Sequence, residues 1–510
     1  MIQGAAAILT GCAGTRSRPS RPNILFAIAD DQSWPGAVPL AEGALRTPAL
    51  DRIAREGAFF SNSYCGAPSC TPSRSAVLTG RNIWQVEEGG VLNGTFPPKY
   101  ARFTHLLEDA GYHVGFTGKP WSPGNFRAAG LTRHPMCKEF NARKMEPIPP
   151  KGVDARDYAA NFDDFLAART QDQPFMFWFG CTEPHRVYDD GVGRRNGKKL
   201  DTVLKVPSFW PDTEIVRSDI LDYCWEVEWF DSHLGRMLAA LERAGELDNT
   251  IVVATSDNGM PFPRAKVNCY DYGVHMPLAI RWGSRITGGR RVEDFVGHID
   301  FAPTFLEAAG IAPPTGIAGR SLIPLLKADD PKRDAAHFAL ERHTWCRPDG
   351  ATYPIRAIRT NRHLYVRNFA PERWPTGGPD FVSSNRTFHG DVDACPTKTF
   401  MIDPANQRKY TREYHLGFGK RPAEELYDVA ADPFEVNNLA TDPQYAADRQ
   451  RLSARLEGYL RETGDPRIEG RDPWQGYVYH QTTGFGATFN RSLPDEERRR
   501  ARERGAHKPE

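Results

Sequence analysis

One window of the chain combines a nucleophile with an anion-binding side chain. Residues 70–80 read CTPSRSAVLTG, which is the pattern C-x-P-S-R-x4-T-G. A cysteine could act as a nucleophile, and Arg74 one helical turn later could hold a reacting group in position. By itself, Cys70 would more often be a small buried hydrophobe than a nucleophile. Its role therefore depends on the segments that accompany it.

Two apolar runs end in oxygen-bearing side chains. One run ends in Asp30 and Asp31, and a later β-branched run ends in Asp257 and Asn258. Runs of this length are typical of buried strands. Adjacent carboxylates repel each other unless a cation lies between them, and oxygen ligands suit Ca²⁺ or Mg²⁺. Taken singly, an acidic turn and an Asn-Gly turn are the commoner explanations.

Three further polar residues follow apolar stretches or lie near the second carboxylate pair. His185 comes after the run at 175–180, Lys119 comes after the run at 112–116, and Lys266 lies nine residues after Asp257. A histidine has a pKa near working pH, which suits protonation of a leaving group. The lysines could hold negative charge on the oxygens of a substrate. Each of the three alone would more often be an ordinary solvated residue.

Most of these residues follow the carboxyl end of a predicted strand. Ligand sites in open α/β sheets gather along that edge, so we expect the segments to meet in one site. A helix is predicted to start just after Cys70, which would put that residue at a helix amino terminus. Further helices are predicted from Thr47-Pro48, with Thr47 as N-cap, and over 213–244 and 445–462.

Composition narrows the class of protein. The chain has 510 residues, with 65 Lys and Arg against 64 Asp and Glu, for a formal charge of +1. Such a balance gives no overall electrostatic footprint for nucleic acid. The nine cysteines form no C-x-x-C pair, which argues against a zinc ribbon, while disulfides stay open. No stretch has the length of a transmembrane helix. We expect one large and one smaller domain.

The order of these segments resembles that of the sulfatase family. In that family the cysteine of the C-x-P-S-R window is converted to formylglycine (3-oxoalanine) by a formylglycine-generating maturation enzyme. Its hydrated form attacks sulfur and later expels sulfate. The resemblance spans residue 22 to about residue 472. It implies an α/β, alkaline-phosphatase-like sandwich with a large, mixed, mostly parallel sheet flanked by helices, and a smaller C-terminal α+β subdomain.

The resemblance also implies roles for individual residues. The implied catalytic residues are Cys70, Arg74, Lys119, His185 and Lys266. The implied metal ligands are Asp30, Asp31, Cys70, Asp257 and Asn258, with Ca²⁺ expected and Mg²⁺ as the alternative. Residues predicted to bind substrate are Trp121, Arg186, His343 and Arg356, although polar residues of the second domain fit a domain-interface network equally well.

Within the family the chain is most similar to heparan N-sulfatase (N-sulfoglucosamine sulfohydrolase). The segments SDNGMPFP at 256–263, YPIRAIR at 353–359 and, more loosely, 425–443 carry this similarity. We therefore expect removal of sulfate from a sulfated glycan, at a sulfate ester or at an N-sulfoglucosamine sulfamate. Two alternatives are a phosphonate or phosphate monoester hydrolase of the same superfamily and a catalytically weak, glycan-binding surface lipoprotein.

One departure from the family pattern concerns the proton of the formylglycine hydrate. Family members read G-K-x-H where this chain has Trp121 two residues after Lys119. An indole N–H donates a hydrogen bond but accepts no proton. Another group could serve instead, and the candidates are His113, His134, Ser122 and His343. The elimination step could also differ or be slow, and Trp121 could form a platform for a sugar ring.

The predicted domains are a signal- or lipoprotein-like segment with a linker (1–21), a catalytic domain (22–330), a C-terminal subdomain (331–475) and a charged tail (476–510). The residues LTGC at 9–12 resemble a bacterial lipobox, with Cys12 as the lipidated residue. No Lys or Arg precedes them, so the usual basic region of a signal peptide is missing. An accidental match stays open beside the predicted extracytoplasmic location, periplasmic or lipid-anchored.

Overall fold

The computed structural model describes residues 21–328, 332–383 and 387–480. A large sheet fills its centre, and its strands are β1 (Asn23–Ala29), β2 (Ala58–Tyr64), β3 (His113–Gly118), β4 (Lys138–Glu139), β5 (Phe175–Gly180), β6 (Thr250–Ser256), β7 (Leu278–Arg281) and β8 (Arg290–Gly297). Their order across the sheet is β4-β3-β5-β1-β6-β7-β2-β8. Only β7 runs antiparallel to its neighbours in this sheet; all other pairs are parallel.

The helices of the described residues include those that cover both faces of the large sheet and others that pack elsewhere. They are α1 (Pro48–Glu56), α2 (Cys70–Thr79), α3 (Phe103–Asp109), α4 (Tyr158–Ala167), α5 (Val192–Arg195), α6 (Glu214–Arg243), α7 (Asp271–Val274), α8 (Phe301–Ala308), α9 (Ile323–Lys327), α10 (Pro396–Ile402), α11 (Pro404–Lys409), α12 (Thr411–Phe418) and α13 (Ala446–Glu462). Successive strand residues face opposite sides. Phe26 and Trp178 thus pack with α3 and α8, whereas Leu25 and Phe177 pack with α1, α4 and α6.

A smaller antiparallel sheet follows in the chain. Its strands are β9 (Ala335–Leu340), β10 (Ile355–Thr360), β11 (His363–Asn368) and β12 (Glu424–Asp428), in the order β12-β11-β10-β9. One face, which includes Phe338 and Ala357, packs against Tyr64 of β2. The other face, which includes Tyr365, packs against Leu456 of α13. The subdomain is therefore joined to the large sheet through apolar contacts.

The fold class predicted from the sequence is confirmed, with a mixed, mostly parallel sheet between helices and an α+β subdomain. The helices predicted over 213–244 and 445–462 are α6 and α13. The helix predicted from Thr47-Pro48 is α1, with Thr47 at the N-cap position and Pro48 as its first residue, although the Thr47 side chain makes no capping bond. The Asp231 carboxylate of α6 instead accepts the backbone N–H groups of Ala49 and Leu50, each at 2.9 Å.

Several predictions concern residues at the ends of the chain. Cys12 and almost all of the charged tail lie outside the described residues, and the three boundaries between the four predicted segments stay predictions. The eight cysteines in the described part of the chain are all free thiols. Among residues 21–328, 332–383 and 387–480, no helix combines the length and the apolar character needed to cross a membrane.

Candidate active site

The two carboxylate pairs lie side by side at the carboxyl edge of the large sheet. Strands β1 and β6 are parallel and in register up to Ala29 and Ser256, so the residues that follow each strand meet. The backbone N–H of Asp31 donates to Asp257 Oδ1 at 3.1 Å. Asn258 Nδ2 donates to Asp31 Oδ1 at 2.7 Å. The strand-end pattern in the sequence therefore corresponds to a single cluster of oxygens.

The helix α2 brings Cys70 and Arg74 to this cluster. Cys70 is its first residue, and the Sγ atom lies 3.5 Å from Asp30 Oδ1. One turn later, Arg74 Nε donates to Asp257 Oδ2 at 2.8 Å, and its Nη1 donates to the Lys119 carbonyl at 2.9 Å. Arg74 is completely buried, so its charge is matched by these partners rather than by water.

Two lysines complete the inner shell of charge. Lys119 Nζ donates to Asp30 Oδ2. Lys119 follows Gly118, which has a φ of +78°. A Cβ added at Gly118 would clash with the Gly180 carbonyl, so the position accepts only glycine. Lys266 Nζ donates to Asp31 Oδ2 at 2.7 Å and to Asp393 Oδ2 at 3.0 Å. Each lysine thus neutralises the charge of a buried carboxylate, and both ammonium groups lie at the same cluster of carboxylates.

His185 lies at the outer side of the cluster and is about 29% exposed at its side chain. Its Nδ1 donates to the Arg186 carbonyl at 2.6 Å. Its Nε2 lies 3.8 Å from Asp31 Oδ2. Because Nδ1 keeps its proton in that bond, a second proton would sit on Nε2, on the side of the carboxylates. The ring is thus oriented as a proton donor toward the cluster.

Burial and neighbouring charges together determine the pKa values of the cluster. Burial raises the pKa of the Cys70 thiol well above its usual range, and the charge of Asp30 adds to that effect. Burial also raises the pKa of Asp257 to about 6, again with Asp30 contributing. The pKa of Asp30 itself is held well below its usual range, because the neighbouring Lys119, His185 and Arg74 outweigh its desolvation. A neutral thiol therefore sits among charged groups.

The oxygen cluster fits a divalent cation. Asp30, Asp31 and Asp257 are at most 1% exposed. The Asn258 Oδ1 atom is buried without a hydrogen-bond partner among the described residues, which is costly unless a ligand satisfies it. Carboxylate and amide oxygens are the ligands that Ca²⁺ and Mg²⁺ prefer. Asp30, Cys70 and Asp257 each offer an atom within 4.8 Å of the others.

A cavity of about 480 Å³ opens above Cys70. That volume is within the range of small-molecule sites. Its lining residues are Cys70, Leu92, Asn93, Gly118, Lys119, Pro120, Ser122, Pro123, Arg156, Thr182, His185, Lys266, His343, Thr344, Asp393 and Tyr479. The wall opposite the sheet edge comes from the chain beyond residue 340, so the subdomain helps to enclose the site.

Three of the four residues predicted to bind substrate are not part of this cavity. Trp121 is 2% exposed, and its Nε1 donates to Ser75 Oγ at 2.8 Å within the core. Arg186 pairs with Asp219 and lies over the ring of Phe262.

Arg356 is buried between Glu341 at 2.7 Å and Asp465. Trp121, Arg186 and Arg356 thus each have a partner in the core, and the structure places none of them on the wall of this cavity. The ion pairs of Arg356 lie within the C-terminal subdomain, because Glu341 and Asp465 both fall in its predicted range.

His343 is the predicted substrate residue that does line the cavity. Its Nδ1 lies 2.8 Å from Ser69 Oγ, next to Cys70. Burial lowers the pKa of His343 to about 4, so the ring is neutral near pH 7. Ser122 also lines the cavity.

The other two candidates for the hydrate proton lie elsewhere. His113 stacks on Phe165 with ring centroids 4.4 Å apart, and His134 stacks on Phe116 at 4.8 Å. Neither ring lines the cavity above Cys70. The geometry thus leaves His343 and Ser122 of the four.

Sequence reasoning missed several residues of the cavity wall. The missed polar residues are Asn93, Arg156, Thr182, Thr344, Asp393 and Tyr479. Asp393 matters most for charge, because it is a second carboxylate paired with Lys266 beside Asp31. It lies in a loop with no strand before it, 127 residues from Lys266. Only Thr182 offered a signal in the sequence, since it lies two residues after the end of β5 and three residues before His185.

Comparison with known proteins shows which family the chain matches. The model of the family described as Sulfatase matches residues 22–311. A second model, described as N-sulphoglucosamine sulphohydrolase, C-terminal, matches residues 265–374. The chain is 27% identical over 482 residues to an ulvan-active sulfatase of Formosa agariphila, covering 88% of this chain and 76% of that protein.

The human N-sulphoglucosamine sulphohydrolase is 28% identical over 502 residues, which cover 89% of this chain and 92% of that protein. A solved structure in complex with its substrate D-glucosamine-2-N,6-O-disulfate superposes with a TM-score of 0.61 at 22% identity. It covers 89% of this chain and 100% of that chain. At that identity the likeness shows a shared fold.

Proposed function

The chain belongs to the sulfatase family, and from that premise we propose that it hydrolyses sulfated glycans, with an N-sulfoglucosamine sulfamate as the preferred bond. The observation that carries the proposal is the cavity lined by Cys70, Lys119 and Lys266, which lies next to the buried carboxylates that these residues contact. Positive charge of this kind binds a small anionic group and stabilises the negative charge on its oxygens while one of its bonds breaks.

The proposal includes a divalent cation, Ca²⁺ or Mg²⁺, and conversion of Cys70 to 3-oxoalanine. Asp30, Asp31, Asp257 and Asn258 would hold the cation together with the oxygen of residue 70. A bound cation would stabilise negative charge on the substrate oxygens, and the hydrated aldehyde would supply an oxygen nucleophile. The place of Cys70 as the first residue of α2, with Sγ 3.5 Å from Asp30 Oδ1, supports this assignment, because it puts the oxygen of a converted residue at the oxygen cluster.

The side chains of the cavity have separate tasks in this proposal. Lys119 and Lys266 bind the oxygens of the sulfuryl group, each already oriented by a carboxylate. Arg74 fixes Asp257 and the backbone at Lys119 through two hydrogen bonds. His185 gives its Nε2 proton to the leaving atom as the bond to sulfur breaks. His343, neutral and next to residue 70, is the group best placed to take a proton back.

The choice of sugar rests on the comparisons. The C-terminal family model and the human relative both bear the name N-sulphoglucosamine sulphohydrolase, and the two models together span residues 22–374. We propose in addition that a formylglycine-generating enzyme matures the chain. The mature protein would then work outside the cytoplasm. The possible lipid anchor at Cys12 belongs to this part of the proposal.

Parallel assays test the proposed function. Protein matured by a formylglycine-generating enzyme is given N-sulfoglucosamine, glucosamine 6-O-sulfate, an aryl sulfate and an aryl phosphonate monoester, with Cys70→Ala as control. Release of sulfate that Cys70→Ala abolishes is the expected result. Turnover of phosphorus substrates alone would instead support the phosphonate hydrolase. Glycan binding without any turnover would support the glycan-binding lipoprotein.

A further inference from the structure

A second carboxylate faces Lys266 inside the cavity. Asp393 Oδ2 accepts a hydrogen bond from Lys266 Nζ at 3.0 Å, while Asp31 Oδ2 accepts another from the same ammonium at 2.7 Å. The side chain of Asp393 is 19% exposed and lines the cavity. A negative charge in a pocket for an anionic group opposes binding unless it faces a different part of the substrate.

Asp393 lies beside the proton donor of the reaction. One ligand atom each of Asp31, His185 and Asp393 lies within 4.8 Å of the others. The ammonium of Lys266 already bridges the two carboxylates, so the protein itself supplies the cation at this place. Two polar atoms less than 4.8 Å apart can both hydrogen-bond one atom placed between them. The leaving atom that His185 protonates would therefore also be within reach of Asp393.

We propose that Asp393 selects sulfamates over sulfate esters by accepting the hydrogen bond of the leaving nitrogen. This inference rests on the proposed function. A sulfamate nitrogen carries a hydrogen that can point at the carboxylate, whereas the bridging oxygen of an ester offers only lone pairs, which a carboxylate repels. Discrimination thus combines an attraction to one substrate with a repulsion of the other.

The attraction grows as the bond breaks. Hydrolysis converts R–NH–SO₃⁻ and water to R–NH₃⁺ and SO₄²⁻: the S–N electron pair goes to nitrogen, which takes one proton from His185 and another from solvent. The nitrogen becomes an ammonium, and Asp393 then forms a charge-assisted hydrogen bond with it. Interactions that strengthen along the reaction accelerate it, so the carboxylate favours this leaving group over a neutral hydroxyl.

The test compares Asp393→Asn with wild type on two substrates. N-Sulfoglucosamine reports on the proposed contact, and an aryl sulfate, which has no amine, reports on Lys266 and the rest of the site. The expected loss in kcat/KM is about 10- to 100-fold on the sulfamate, as for a lost hydrogen bond to a charged group. On the aryl sulfate the substitution removes a repulsion of the bridging oxygen, so kcat/KM should rise or should fall at least tenfold less than on the sulfamate. Asp380→Asn, at an exposed carboxylate outside this cavity, is the matched control and should change neither.

A binding measurement gives an answer independent of turnover. Calorimetry with glucosamine at pH 6.5, where an amine of about pKa 7.7–8 is protonated, should show weaker binding to Asp393→Asn than to wild type by about tenfold. The difference should shrink at pH 9. Equal affinity of the two proteins for glucosamine at pH 6.5, or equal losses on both substrates, would overturn the proposal. Hydrolysis of esters alone by wild type would also overturn it while leaving the sulfatase function intact.

Discussion

Substitution of Trp121 distinguishes a core residue from a sugar-binding residue. The indole is 2% exposed, its Nε1 donates to Ser75 Oγ at 2.8 Å, and its ring meets that of Phe96 edge-on at 5.1 Å. Truncation of a buried Trp or Phe to Ala typically costs about 3–5 kcal/mol, so Trp121→Ala should destabilise the protein by that amount.

A finer substitution isolates the hydrogen bond. Trp121→Phe keeps an aromatic ring but loses the bond to Ser75, and a hydrogen bond is worth about 1 kcal/mol net. The Ser75 hydroxyl still donates to the Gly89 carbonyl at 2.7 Å, so no buried donor is stranded. We expect a loss of about 1–2 kcal/mol, including a small packing defect. Trp121→His should also destabilise, and it should not speed turnover, because position 121 faces the core.

Urea unfolding and steady-state kinetics on the same proteins decide the matter. The expected result is a lower unfolding midpoint in the order Phe, then Ala, with KM for the sulfated sugar changed less than about threefold in the folded Phe variant. A Trp121→Phe protein as stable as wild type but with a strongly raised KM would refute the core assignment. Faster turnover by Trp121→His would show that this side chain does reach the site.

Three other predictions address the charged interior. Arg74→Lys, which cannot keep both of its directed bonds, should lower kcat/KM for sulfate release by about 100-fold, and a change under threefold would contradict its positioning role. Glu226 is buried with neither carboxylate oxygen partnered among the described residues, and burial, with the charge of Glu183, raises its pKa to about 9. Between pH 4.5 and about 9, the folded state keeps the proton of Glu226, whereas the unfolded state has released it. The free energy of unfolding therefore falls as the pH rises through this range, by up to about 1.4 kcal/mol per pH unit. Melting curves at pH 6, 7.5 and 9 should show a flatter decline for Glu226→Gln, and an unchanged slope would contradict the buried acid. Chelation of divalent cations should lower the melting temperature, and Ca²⁺ at about 100 times its Kd should restore about 2.7 kcal/mol, while identical melts would argue against the cation site.

The sequence was informative where local pattern determines position. Parallel strands carry their carboxyl ends to one edge, so the acidic residues after β1 and β6 could be placed together before any coordinates were known. Cys70 could likewise be placed at a helix start, since Pro72 favours the first turn of a helix. These residues follow regular elements whose geometry fixes where the next side chain goes.

Other residues depend on irregular backbone or long-range contacts. Trp121 follows Lys119 in sequence, yet the turn after it directs the indole toward Ser75 rather than the cavity. Asp393 reaches Lys266 only because a loop of the subdomain folds back across 127 residues. Arg356 looked free to bind a sugar acid, but Glu341 and Asp465 already surround it. Neither spacing nor residue type reveals such pairings.

Peptide mass spectrometry of active protein tests the central claim most directly. The account predicts that the peptide containing residue 70 is about 18 Da lighter than its cysteine form, as expected for an aldehyde in place of a thiol. The fraction of the light peptide should rise in proportion to the rate of sulfate release when a maturation enzyme is co-expressed. Full sulfate release by protein that contains only the Cys70 thiol would contradict the account.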